Sequence, residues 1–188
     1  NYIEGLFLPS GVLRSPDYTT ELMIRCLRLL REEYRFNGYI HLKGIPKADP
    51  LLVEKAALLA DRMSYNLELP GEESLKRLAP QKTKKSLLLP MGQLAQGKKA
   101  FASGRRLIGA QQNEKPRLLT ASGLQNAQSE TAATVFRAAK RPLYLPAGQT
   151  TQMIVGASPE RDGKILRLSG ALYRKFSLRR VYFSAYLP

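Results

Sequence analysis

From Gly38 to Pro46 the chain reads GYIHLKGIP, with Ile40 and Leu42 on one side and Tyr39, His41 and Lys43 on the other. A period of two is the mark of a strand with one apolar and one polar face. The same alternation recurs at 63–70, where Ser64, Asn66 and Glu68 oppose Tyr65, Leu67 and Leu69. It recurs again at 179–188, where Tyr182, Ser184 and Tyr186 oppose Val181, Phe183 and Ala185. Two more segments, IEGLFLP (3–9) and TTQMIVGA (150–157), complete a set of five predicted strands.

Helical spacing fills most of the intervals. SPDYTTELMIRCLRLLREEY offers Asp17 or Thr19 as cap and places Leu22, Cys26 and Leu29 on one predicted face. DPLLVEKAALLADR has Asp49 at the N-cap and Pro50 at the first helical position. GEESLKRLAP predicts a short helix, and QKTKKSLLLPMGQLAQ a second one interrupted at Pro90. SPERDGKILRLSGALYRKF predicts a helix with Ile165, Leu168 and Leu172 inward. Residues 98–126 are rich in Gly, Gln, Ser and Lys/Arg without a period, and predict a basic surface excursion that extends to about 148. Within it, AQSETAATVFRAAKR (127–141) predicts a helix.

Strands joined by helical crossovers must pair in parallel, with right-handed connections. An open doubly wound sheet and an arc of a TIM-type β/α barrel both satisfy this. Strands covered on both faces should read as continuous apolar runs. The persistent alternation therefore favours an α/β fold of one domain over 1–188, a partial parallel barrel whose polar side faces a site. Ile40, Leu42, Leu67 and Phe183 are then expected beneath helices. Tyr39, His41, Lys43, Ser64, Asn66, Glu68, Ser184 and Tyr186 are expected around one concavity. The alternative is a satisfied hydrogen-bond network at a sheet edge.

Charge changes the picture more than composition does. The chain of 188 residues carries 30 Lys/Arg against 15 Asp/Glu, a net +15. Residues 1–97 contribute +3, 98–148 contribute +7 and 149–188 contribute +5. Such a surface attracts polyanions, with nucleic acid (DNA) the expected partner through Lys98, Lys99, Arg105 and Arg106. The single cysteine, Cys26, allows neither an internal disulfide nor a cysteine-based metal site, and points to a reducing, cytoplasmic setting. No apolar run approaches the roughly 20 residues that cross a bilayer, so no membrane partner is expected. Nucleophile-elbow, P-loop and dinucleotide-binding patterns are all missing, and no catalytic residue can be assigned. Any chemistry would rest with a cofactor.

The order of the segments resembles a known family. GLFLPSGVLRSPDYTTELMIRCLRLLRE is similar to the second strand and helix of radical SAM barrels, with Pro9, Ser10 and Gly11 where most members have Gly-Gly-Glu. RMSYNLELPGEESLKRLAPQKTKKSLL resembles the fourth strand and its sequel, TTQMIVGASPERD the fifth and RRVYFSAYLP the sixth. FLPSGV, GYIHLKGIP, DRMSYNLELP, TQMIVGASPE and RVYFSAYLP, in that order, resemble more narrowly a bacterial radical SAM family linked to DNA modification or repair.

The resemblance implies strands two to six of a six-stranded radical SAM barrel, binding S-adenosylmethionine. It puts Ser10 and Gly11 near the cofactor's amino group, Asn66 and Glu68 near its ribose or amino acid part, and His41 and Lys43 in the lumen, Lys43 toward the carboxylate. The family's [4Fe–4S] cluster needs a C-x3-C-x2-C loop, which this sequence does not contain. The expectation is an internal piece of a longer parent, inactive alone, whose cluster ligands lie elsewhere; with the cluster, the parent would generate a 5′-deoxyadenosyl radical. Two other readings remain: a non-catalytic basic α/β module that binds nucleic acid, and a metabolic β/α-barrel enzyme for a phosphorylated substrate. The oligomeric state is open.

Overall fold

A computed structural model of the chain describes residues 3–104 and 143–187. Five strands form one parallel sheet in sequence order: β1 (Gly5–Leu8), β2 (Tyr39–Lys43), β3 (Arg62–Ser64), β4 (Gly148–Val155) and β5 (Arg180–Ala185). Between them run α1 (Pro16–Arg28), α2 (Pro50–Leu59), α3 (Glu72–Leu78), α4 (Lys84–Ala102) and α5 (Asp162–Phe176). With right-handed crossovers, a strand order that never reverses puts the helices on one face of the sheet. Accordingly α1 packs on α2, α2 on α4, and α4 on α5. The excursion from Arg105 and the helix expected at 127–141 lie outside the described residues.

Local chemistry explains where the elements start. The cap of α1 is Ser15, whose hydroxyl accepts from the Tyr18 amide, with Pro16 following. Neither Asp17 nor Thr19 caps the helix, because both side chains hold loops instead. The Asp17 carboxylate accepts from the Asp49 amide, and the Thr19 hydroxyl lies within bonding distance of the Leu13 carbonyl and amide. The buried face of α1 is Thr19, Thr20, Met23, Ile24 and Leu27, which turns the expected stripe aside. Cys26 is half-buried and Leu29 is exposed, in a π-helical turn (Leu29–Glu33) that ends the helix. Asp49 caps α2 through the Leu51 amide, as expected.

Helix α4 corrects two expectations. It runs unbroken through Pro90 and extends to Ala102, so Lys98 and Lys99 belong to a helix and not to a loop. An interior proline costs about 3 kcal/mol. Leu87, Met91 and Leu94 around it are fully buried, and each such side chain returns roughly 1.5–3 kcal/mol. A capping box between Thr83 and Ser86 fixes the start.

The core lies between the helices and one sheet face, with Ile40, Leu42, Met63, Leu67 and Met153 at 1% exposure or less. Tyr65 is equally buried, its ring filling the space over Gly44, where a Cβ would collide with it. At the N-terminal end of the sheet the Arg31 guanidinium donates to the Leu59, Phe36 and Gly38 carbonyls and to Asp61 Oδ2, which also accepts from the Ile40 amide. Phe183 departs from expectation. It sits on the edge strand β5 and is 49% exposed, since an edge strand has a neighbour on one side only. Of β5's amides, that of Val181 donates to the Tyr173 hydroxyl of α5.

Strand β3 is shorter than the alternation suggests. After Ser64 the chain bulges away from β4, and the Thr151 hydroxyl bridges the gap by donating to the Tyr65 carbonyl and accepting from the Leu67 amide. Pairing resumes at Glu68, whose amide donates to the Gln152 carbonyl and whose carbonyl accepts from the Ile154 amide. Tyr65, Leu67 and Leu69 stay buried all the same.

Candidate functional site: the helix-free face of the sheet

In a parallel ladder, residues in register share a face. Phe7, His41 and Arg62 align across β1, β2 and β3, and Lys43, Ser64, Thr150 and Arg180 align across β2 to β5. Gln152 aligns with Tyr182, and Ile154 with Ser184. The polar residues singled out on β2, β3 and β5 therefore do share one side. It is an open face: Phe7, Tyr39, Tyr182 and Tyr186 are between 38% and 54% exposed.

Two clusters occupy it. His41 Nε2 lies 3.0 Å from Ser64 Oγ, and Phe7 packs on the imidazole with ring centroids 4.8 Å apart. Burial, and then the Arg62 charge, push the His41 pKa down to about 4, so the ring is neutral at pH 7. The second cluster centres on Arg62, which donates to the Tyr182 hydroxyl at 3.2 Å and sits 5.5 Å from the centre of the Tyr39 ring. Burial raises the Tyr39 pKa. Across β4 and β5, the Gln152 amide donates to the Ser184 hydroxyl. Thr150 is fully buried on this face, and its hydroxyl has no hydrogen-bond partner among the described residues.

Of the six positions expected to meet a cofactor, His41 lies mid-way along β2 and the other five lie at or beyond the C-terminal ends of β1, β2 and β3. Ser10 and Gly11 form an exposed turn after β1, where the Ser10 hydroxyl donates to the Gly11 carbonyl. Lys43 ends β2 and is half-buried. Asn66 is half-buried in the bulge. Glu68 departs from expectation: with a positive φ of 63° it resumes pairing in register with Met153, a residue of the helix-covered face, because the bulge after Ser64 breaks the alternation. Its carboxylate pairs with Lys82, 2.7 Å away. His41 contacts Ser64, which is not among the six, and Glu68 contacts Lys82.

Of the residues expected to meet nucleic acid, Lys99 is exposed, whereas Lys98 turns inward and donates to the Leu145 carbonyl at 3.1 Å. Burial, and then Arg179, lower the Lys98 pKa. Both lysines border a cavity of about 260 Å³ with Gly148, Gln149 and Phe176. Arg105 and Arg106 lie outside the described residues.

Arg62 lies one residue before the alternating run 63–70 and so falls outside the predicted strand. One more step of the same period would have placed it beside His41. Lys82 was missed because it lies in a loop with no periodic signal.

Among the described residues, no three His, Cys, Asp or Glu side chains are grouped to hold a metal ion. A [4Fe–4S] cluster does not fit this chain: it requires several thiolates, and Cys26 is the one cysteine. No helix among the described residues is long and apolar enough to cross a membrane. The chain matches no protein-family model and no curated protein.

Proposed function

We propose that this chain is the S-adenosylmethionine-binding core of a radical SAM enzyme acting on nucleic acid, with DNA modification or repair as its setting. The observation that carries the reading is the sheet itself: five parallel strands in unreversed order, helices on one face and polar residues on the other. A doubly wound sheet reverses its strand order and covers both faces. An unreversed order with one covered face is what an arc of a β/α barrel requires.

The donor set suits an amino acid zwitterion joined to a nucleoside. Lys43 offers an ammonium to a carboxylate, and the Ser10–Gly11 turn offers polar groups beside it. Glu68 and Asn66 offer acceptors to hydroxyls, while the ammonium of Lys82, 2.7 Å from the Glu68 carboxylate, holds that side chain in place. When bound, the cofactor supplies the radical precursor. The residues of this chain bind and orient it, and no step through an iron cluster is derived from them.

Calorimetric titration of the full chain with S-adenosylmethionine tests this. Binding weakened about 10- to 150-fold by Lys43→Ala is expected, a charged hydrogen bond contributing roughly 1.5–3 kcal/mol. Absence of binding, or binding indifferent to Lys43→Ala and Glu68→Gln alike, would remove the reading. Anaerobic reconstitution of this chain alone should give no brown cluster absorbance.

A second reading, a basic module that binds nucleic acid without catalysis, is favoured by the net charge of +15. Oligonucleotide binding that falls steeply with salt, with no affinity for the cofactor, would select it.

A further inference from the structure

We infer that the Tyr39–Arg62–Tyr182 cluster is a stacking platform for an unpaired base of single-stranded nucleic acid. The inference rests on the nucleic-acid reading above and deepens it, and none of the three platform residues belongs to the excursion or to the cofactor positions. Three observations carry it.

The first is exposure. Phe7, Tyr39 and Tyr182 present large rings on one sheet face at 53%, 38% and 39% exposure. Apolar rings left open together on one face mark a binding surface more often than a scatter of single residues does. The second is the arginine between two of them. Arg62 bonds the Tyr182 hydroxyl and lies against the Tyr39 ring, so its flat guanidinium is held between β2 and β5. It forms no ion pair among the described residues. A guanidinium fixed beside aromatic rings stacks on bases and bonds their acceptors.

The third is charge. The residues in register on this face include Lys43, Arg62 and Arg180 and no carboxylate. The nearby carboxylate of Asp61 is held by Arg31 and the Ile40 amide. A positive aromatic surface without acids complements a phosphodiester chain whose bases are free to stack. In a duplex the base faces are already stacked on one another, so the surface favours single strands.

Tyr39 and Arg62 are the first residues of β2 and β3, whereas Lys43 and Glu68 come later along their segments. The platform therefore lies on the same face as Lys43 and toward the opposite end of the strands, with His41 between them and in register with Arg62. Substrate and cofactor could occupy the face side by side.

The test uses the full chain and 12-nucleotide single strands, deoxyribo and ribo, carrying 2-aminopurine at the centre. A matched strand with an abasic centre and a matched duplex serve as controls. Stacking on the platform should quench the aminopurine and make the base-bearing strand bind about 5- to 100-fold tighter than the abasic one. Tyr39→Ala with Tyr182→Ala should abolish that preference while leaving the salt slope of the remaining binding unchanged. Arg62→Lys, which keeps charge and loses planarity, should reduce it.

Circular dichroism checks that the variants fold. Tyr182→Phe, which keeps the ring and loses the bond to Arg62, gives a milder second variant. Equal binding of abasic and base-bearing strands would overturn the platform and leave the nucleic-acid reading standing. Absence of binding to any strand would overturn both. Quenching that persists in the double tyrosine variant would also overturn the platform. S-adenosylmethionine titrated into the same samples reports separately on the cofactor reading, because Tyr39 and Tyr182 are not cofactor candidates.

Discussion

The two faces of the sheet are built from the same five strands and behave as different materials. Under the helices, Ile40, Leu42, Met63 and Met153 are buried, and what matters there is volume. On the other face, residues one step away along the same strands carry a neutral imidazole, three cations and exposed aromatic rings. Alternation lets one short segment answer two demands: Leu42 holds the fold, and its neighbours His41 and Lys43 are free to serve a ligand. A substitution should therefore act on stability or on binding according to the parity of its position, and that rule can be broken by experiment.

The largest expected effect is on the covered face. Leu42→Ala should lower unfolding free energy by about 2–5 kcal/mol. Tyr39→Ala, three residues earlier on the open face, should change it by less than about 1 kcal/mol. Chemical denaturation compares the two, and equal losses would abolish the distinction. Gly44→Ala comes next, because its methyl group would meet the buried Tyr65 ring. Overpacking of this kind costs about 1–3 kcal/mol.

How well the sequence foretold the two faces depended on whether a residue's neighbours in the chain were also its neighbours in space. The polar side of β2 was legible because alternation is a local property. The buried stripe of α1 was not: Leu22–Cys26–Leu29 and Met23–Ile24–Leu27 are both apolar, and contact with α2 and the sheet chooses between them. Phe183 looked internal from its period alone, and its exposure follows from β5 being an edge. The bulge after Ser64 depends on the Thr151 hydroxyl, 86 residues away from Tyr65. The pairing of Arg62 with Tyr182 spans 120 residues, and no local pattern contains it.

A smaller effect should appear with pH. The folded pKa of His41 lies near 4, below its ordinary value of 6.5, so between these values the unfolded chain binds more protons. The stability that depends on neutral His41 is present above pH 6.5 and is lost as pH falls toward 4. Denaturation midpoints of the wild type and His41→Gln should converge across this window, the variant being less sensitive to acid. Parallel curves would show that the imidazole is not shielded by the fold. The smallest effect is expected from Lys82→Ala. Its pair with Glu68 is part-exposed, and such pairs contribute about 0–1 kcal/mol. Its consequence should be seen in cofactor affinity more than in melting.

The central claim is that the open face is the ligand face, and a side-chain NMR titration tests it most directly. Ring and methyl signals would be followed as S-adenosylmethionine, and then a single-stranded oligonucleotide, is added to the full chain. The account predicts shifts at Phe7, Tyr39, His41 and Tyr182, with the Leu51 and Leu166 methyls, exposed on helices α2 and α5, unmoved. Shifts confined to the helix layer, with the open face silent to both ligands, would contradict it.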